Sequence, residues 1–275
     1  NLLKESGGVA FMVRKIVITF HKTRLLCLFF LTVLLLIPGA LTGSGAATVL
    51  TVGTLVGTVL SYMGISEKRV AAIIFICAAM SAAAPPVNLW AMMAAAGSNM
   101  PYVGFFQPLL VLSAIGAFFA MFFLGGKGKN VELEKALKEL PEPPEKMNWL
   151  RVGIPFAVLI FLIMAGRIWP FSTPTIGLPL MFVLASVSAI LLSPKKLQIL
   201  RIATETIHSL IPLVGIMIVV GILIQVMALS GARGLISLGV VTLPLWVLCS
   251  TLFLILPVSY RLLKYAVAPL LGVPL

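Results

Sequence analysis

Apolar residues in this chain come in long blocks separated by short polar or charged stretches. The blocks are Leu25–Leu41, Ala46–Met63, Val70–Ala96, Val103–Leu124, Val152–Ile168, Ile176–Leu192, Ile207–Leu229 and Leu235–Leu256. A helix needs roughly 20 residues at about 1.5 Å each to cross about 30 Å of hydrocarbon, and most blocks reach that length. The pattern predicts an all-α polytopic membrane protein. Two places depart from plain spanning helices. Leu25–Leu41 is short, and it runs into LTGSGAATVLTVG (41–53), which holds three glycines, a serine and three threonines without a charge. Val70–Ala96 is long, yet Pro85 and Pro86 stand near its middle.

Composition strengthens the membrane reading. The chain has 275 residues, 60% of them hydrophobic and only 10% charged, too little polar surface to cover a water-soluble core. The net charge of +12 does not point to nucleic acid, because the basic residues lie between apolar blocks and form no stripe with aromatics. They mark orientation instead. With the N-terminus cytoplasmic and residues 25–63 entering and returning, one side collects Lys4, Arg14, Lys15, Lys22, Arg24, Lys68, Arg69, the 125–151 loop, Lys195, Lys196 and Arg201. The other side receives Arg167 and Arg233. A re-entrant hairpin and two full spans give the same parity.

Enzymatic chemistry has little to work with. There is no Asp, five of the eight Glu lie between Glu132 and Glu145, and neither HExxH nor GxSxG occurs. Cys27, Cys77 and Cys249 each stand alone in an apolar block and read as packing residues. His21 and His208 flank apolar blocks and read as interfacial. Within the polar loop, Val131–Leu140 is predicted as a short helix with Glu134 four residues before Lys138, stopped by PEPPE; the loop reads as a linker between two membrane halves. SPKKLQILRIATETIHS (193–209) reads as a basic amphipathic helix lying on the membrane surface.

The two halves echo each other. ESGGVAFMVRKIVITF precedes a greasy segment that breaks at Pro38, and LSGARGLISLGVVTL precedes one that breaks at Pro257. By the charge count the copies enter from opposite sides, the pattern of an inverted repeat with a midplane site built on broken helices. The division is a first repeat at 1–124 (arm helix, hairpin 25–63, broken helix 70–96, span 103–124), a cytoplasmic linker at 125–151 and a second repeat at 152–275, incomplete at its C-terminus.

Three stretches could carry chemistry. At the first, Pro38 is expected to break the helix just before a turn at Gly43, Gly45, Ala46 and Ala47, with hydroxyls from Thr42, Ser44 and Thr48. Carbonyls at a helix C-terminus suit a cation and amides at an N-terminus suit a carboxylate; small-residue helix packing explains the same composition. At the second, Pro85 and Pro86 must interrupt a helix, freeing carbonyls from about Ser81 to Ala84 beside Asn88. At the third, Pro257–Tyr260 brings Arg261 and Lys264 either near the membrane interior, where cations serve an anionic substrate, or to the cytoplasmic surface as anchors.

PGALTGSGAATVLTVG followed by AAAPPVNLWAMMAAAG, then FSTPTIGLPL, LSG and APLLGVP, resembles in order the large membrane subunit of tripartite ATP-independent periplasmic (TRAP) transporters, in the ion-transporter superfamily. The resemblance covers nearly the whole chain. It implies an inverted-repeat, elevator-type secondary transporter with re-entrant helical hairpins, in a bacterial or archaeal cytoplasmic membrane and usually coupled to Na⁺. It also implies a smaller four-helix membrane subunit and a periplasmic binding protein that delivers a small organic anion, typically a carboxylate. Carried onto this chain, the ion-binding residues would be Thr42, Gly43, Ser44, Gly45, Thr48, Ala84, Pro85 and Asn88, with Na⁺ at Ser44, Gly45 and Pro85. Substrate would meet Ser44, Pro86, Asn88, Ser259, Arg261 and Lys264. Ser259 stands where the family usually has an acidic residue. No cofactor besides the coupling ion is expected. Helices of the family before residue 1 and after residue 275 have no counterpart here, so the chain is expected to be part of a longer protein. A reading from a different class is a polytopic channel or partner-binding scaffold in which the Gly and Pro breaks serve packing.

Overall fold

The computed structural model describes residues 2–97, 100–126, 128–168, 177–247, 249–250 and 253. These residues are all-helical. In chain order the helices are α1 (Leu2–Glu5), α2 (Gly8–Phe20), α3 (Arg24–Thr42), α4 (Gly45–Thr48), a π-helical turn (Val49–Gly53) and α5 (Thr54–Tyr62). Then come α6 (Glu67–Ala83), α7 (Leu89–Gly97), a 3₁₀ turn (Tyr102–Phe105), α8 (Phe106–Gly125), α9 (Leu133–Glu139), α10 (Trp149–Ile168), α11 (Leu178–Leu192), α12 (Ile199–Leu229) and α13 (Ala232–Val241).

Among the described residues, four helical stretches are long and apolar enough to cross a membrane: Arg24–Thr42, Gly45–Tyr62, Tyr102–Gly125 and Ile199–Leu229. The outer surface agrees with a lipid surrounding. Phe75, Leu112, Phe119 and Phe123 all lie exposed, as does a continuous apolar face of α12 from Ile207 to Leu229; an exposed apolar area of that extent matches hydrocarbon better than water.

The main core joins α2, α3, α5, α6 and α8. Val13, Val17, Leu28, Leu31, Leu35, Val56, Val59, Leu60, Ile73 and Met121 are fully or almost fully buried in it. α3 and α6 approach closely because the contact is made by small residues: a Cβ at Gly39 would overlap both the side chain and the backbone of Ser81. The α10–α11 pair forms a smaller cluster of Leu159, Met181 and Ala185, and Leu41 near the end of α3 packs against it.

The structure differs from the sequence reading in four places. Pro38 lies inside α3 and does not end it. A proline removes one amide, and here the helix runs on for another turn, with the Thr42 hydroxyl donating to the Pro38 carbonyl at 2.7 Å. The basic segment 193–209 is no separate helix: 194–198 is non-helical, and one helix of 31 residues runs from Ile199 through Pro212 to Leu229. Nothing between Ile199 and Ile211 interrupts it, and Arg201 and Glu205 pair one turn apart at 2.8 Å.

The linker helix is shorter than predicted, and its ion pair joins Lys135 to Glu132 at 2.6 Å; the neighbouring ammonium holds the Glu132 carboxyl below its usual range. The linker is also docked. Val131, Ala136, Leu140 and Met147 are buried. The Arg14 guanidinium donates to the carbonyls of Leu137 and Leu140 at 3.1 and 2.7 Å, so a cation completes the C-terminal end of α9. Lys129 and Glu132 give their amides to the carbonyls of Met63 and Tyr62 at the foot of the hairpin.

Candidate functional site

The first hairpin turns at Gly43, whose φ of 67° lies in the left-handed region that a side chain makes costly. The turn changes where three backbone groups go. In a continuing helix the Ser44 amide would donate to the Ala40 carbonyl. Here it points to the Thr42 hydroxyl at 3.3 Å, and Ser44 itself is extended. The Ala40 carbonyl accepts the amide of Val87 at 3.0 Å instead. Val87 belongs to the second motif, so the two breaks meet.

That second break spans Ala84–Asn88, between α6 and α7, and contains a cis Pro85–Pro86 bond. Asn88 closes it. Its side-chain amide donates to the Ala83 carbonyl at 2.9 Å, while its carbonyl oxygen accepts the Ala91 amide at 3.0 Å. One side chain therefore satisfies the end of α6 and caps the start of α7. Asn88 is buried, and its own amide donates to the Tyr102 hydroxyl at 3.3 Å.

The fit between tip and break is close. A Cβ at Gly43 would lie 2.8 Å from Leu89 Cγ and 3.1 Å from the Val87 carbonyl oxygen, and one at Gly45 would lie 2.8 Å from the Ala78 carbonyl oxygen. Thr48 and Ser81, both fully buried, share a hydrogen bond of 2.7 Å, and Ser81 also donates to the Ala78 carbonyl. Beyond Thr48 the return arm loosens into the π-helical turn Val49–Gly53, a local distortion that is frequent at functional positions.

The opposite side of the tip faces a cavity of about 500 Å³. Thr42, Ser44, Ala46 and Ala47 line it from the tip, and Phe156, Phe182 and Leu210 from the second half of the chain. Lys4 stands on its wall and donates to the Leu50 carbonyl at 2.8 Å. The walls are mainly apolar, with one cation and a few hydroxyls.

The residues expected at the site thus divide. Gly43, Gly45, Thr48, Ala84, Pro85 and Asn88 lie at or beside the contact of tip and break, with Pro86 half-buried in the break. Thr42 and Ser44 face the cavity. Ser259, Arg261 and Lys264 lie outside the described residues. Among the described residues, no three His, Cys, Asp or Glu side chains come together; the donors offered at the contact are neutral backbone and hydroxyl oxygens. Sequence reasoning missed Tyr102 and Lys4 as parts of this region, and it placed Ser81 there for its backbone carbonyl and not for the hydroxyl that meets Thr48. Ser81 was visible as a polar residue four positions before Pro85, whereas Tyr102 and Lys4 carried no local signal.

No protein-family model matches the chain, and no curated protein or solved structure is significantly similar to it.

Proposed function

We propose that the chain is the membrane subunit of a secondary active transporter that couples Na⁺ to uptake of a small organic anion. The observation that carries the reading is the contact of the glycine turn at Gly43 with the proline break at Ala84–Asn88. Two interrupted helices meeting in a membrane protein is the arrangement in which unwound carbonyls hold a coupling ion and helix ends hold substrate. Neutral oxygens, without a carboxylate cage, suit a monovalent cation there. The resemblance of LTGSGAAT and AAAPPVN to the TRAP large subunit extends the proposal to an inverted-repeat elevator in a bacterial or archaeal inner membrane. It brings a four-helix small subunit and a carboxylate handed over by a periplasmic binding protein.

A channel or scaffold draws support from the same glycines, since Gly39 and Gly45 are filled by Ser81 and Ala78 as in plain small-residue packing. The two readings part on ion specificity. Thermal unfolding in detergent is compared in NaCl and choline chloride at equal ionic strength. Na⁺ at about 100 times its dissociation constant stabilises by about 2.7 kcal/mol. The transporter reading expects a Na⁺-specific rise in Tm that Ser44→Ala removes. The same melting temperature in both salts would refute Na⁺ coupling at this tip.

A further inference from the structure

We propose that the groove between α2 and the end of the linker binds the phosphodiester headgroup of an anionic phospholipid. The groove has a volume of about 400 Å³ and is lined by Phe11, Arg14, Lys15 and Ile18 of α2, and across from them by residues 143–145 and 147–149. Phe11, Arg14, Lys15 and Ile18 follow the i, i+3, i+4, i+7 spacing of one helix face. Val9 and Met12, on another face of α2, line the cavity beside the hairpin tip, so the groove is a separate place.

Three observations point to a lipid. The first is charge. Arg14 bonds only neutral carbonyls with its Nη1, and Lys15 is exposed with its ammonium 5.9 Å from the Phe11 ring centre. Among the described residues the ion pairs are Lys135–Glu132 and Arg201–Glu205, so neither Arg14 nor Lys15 is neutralised by a carboxylate. Glu145 is the one acidic side chain lining the groove, which leaves its charged groups (two cations, one anion) net +1.

The second is Trp149. It stands 55% exposed and packs edge-on against Phe11 at 5.5 Å between centroids. An exposed Trp with basic residues beside it, here Lys146 and Arg151, is the composition of a membrane–water boundary.

The third is position. Trp149 is the first residue of α10, so the charged linker gives way to an apolar helix at the groove itself. A phosphate seated between Arg14 and Lys15 would leave its acyl chains beside the exposed Leu150, Ile154 and Ile160 of α10. A soluble phosphate compound would have no use for that apolar wall. A basic pocket at the end of apolar helices is a known form of headgroup recognition.

The test uses the purified chain in a neutral detergent, titrated with phosphatidylglycerol, phosphatidylcholine or inorganic phosphate, with Tm and native mass spectrometry as readouts. Phosphatidylglycerol is expected to raise Tm and to remain bound as discrete adducts, while the other two do neither. Lys15→Ala, an exposed change that should leave folding intact, is expected to weaken phosphatidylglycerol binding about fivefold, and Lys15→Arg to retain it. Equal shifts with phosphatidylglycerol and phosphatidylcholine, or unchanged binding by Lys15→Ala, would overturn the assignment. A shift with inorganic phosphate as large as with the lipid would overturn the lipid and leave a soluble anion site. None of these readouts depends on Na⁺ or on transport.

Discussion

Two glycines in the described structure offer a controlled measurement of how tightly the hairpin tip is seated. Gly43 and Gly64 both lie in the left-handed region, at φ of 67° and 74°. A Cβ at Gly64 would meet nothing within 4 Å, whereas one at Gly43 would meet Leu89 Cγ at 2.8 Å and the Val87 carbonyl oxygen at 3.1 Å. Alanine at either position costs about 1–2 kcal/mol for the backbone conformation. At Gly43 the overlap adds about 1–3 kcal/mol, because Val87 is backbone and Leu89 Cγ is not the free end of its side chain. At about 3 °C per kcal/mol for a chain of this size, Gly64→Ala should lower Tm by about 3–6 °C and Gly43→Ala by about 6–15 °C. Combining Gly43→Ala with Leu89→Ala removes the Cγ contact, so the pair should couple favourably by about 1 kcal/mol in a double-mutant cycle. Differential scanning fluorimetry in one detergent gives all four values. Equal losses at Gly43 and Gly64, with no coupling to Leu89, would refute the seating of the tip on the break.

Asn88→Ala leaves the Ala83 carbonyl without its donor and the start of α7 without its cap, a loss of about 2–4 kcal/mol by thermal unfolding; Asn88→Asp keeps the cap acceptor and should lose less. A Thr48→Val and Ser81→Ala cycle should show a coupling of about 1 kcal/mol, since their mutual hydrogen bond is buried. Arg14→Ala should free α9, and the linker with it, from α2 by removing the donor to the Leu137 and Leu140 carbonyls, and speed tryptic cleavage between residues 125 and 149, read by mass spectrometry of the fragments.

The features legible in the sequence were those written in local backbone chemistry. Gly43 and Gly45 together with their hydroxyl neighbours weaken a helix, and the Pro85–Pro86 pair removes two of its amides, so a turn and a break were readable from the residues alone. Where the turn would fall was less so: Pro38 drew attention to itself, but α3 absorbed it and stopped at Gly43. That the two breaks face each other was not readable, because the contact depends on Gly39 fitting against Ser81 and Gly45 against Ala78, pairings about 40 and 30 residues apart with no marker in either partner. Arg14 and Lys4 show a different loss. Both read as orientation charges, and both turn out to complete carbonyls, of Leu137 and Leu140 and of Leu50. A cation's sequence position says which side it favours, not which helix end it caps.

An interrupted helix in a low-dielectric setting leaves amides and carbonyls that cost several kcal/mol each if nothing receives them. The hairpin tip alone would leave the Ala40 carbonyl exposed, and the proline break alone would leave the Val87 amide exposed; together they form one 3.0 Å hydrogen bond. Asn88 then takes one carbonyl at the end of α6 and one amide at the start of α7, of Ala83 and Ala91, without help from the tip. The consequence is mechanical. Sliding α3 along α6 would orphan both Ala40 and Val87, separate Thr48 from Ser81 and disturb the close fit of Gly39 against Ser81 at once. Such losses favour movement of the tip and break as one body. Any cation held between them must therefore use lone pairs left over from this mutual satisfaction, or replace the Val87 amide with its own charge at the Ala40 carbonyl. Only the second option would make ion occupancy and the attachment of the hairpin the same event.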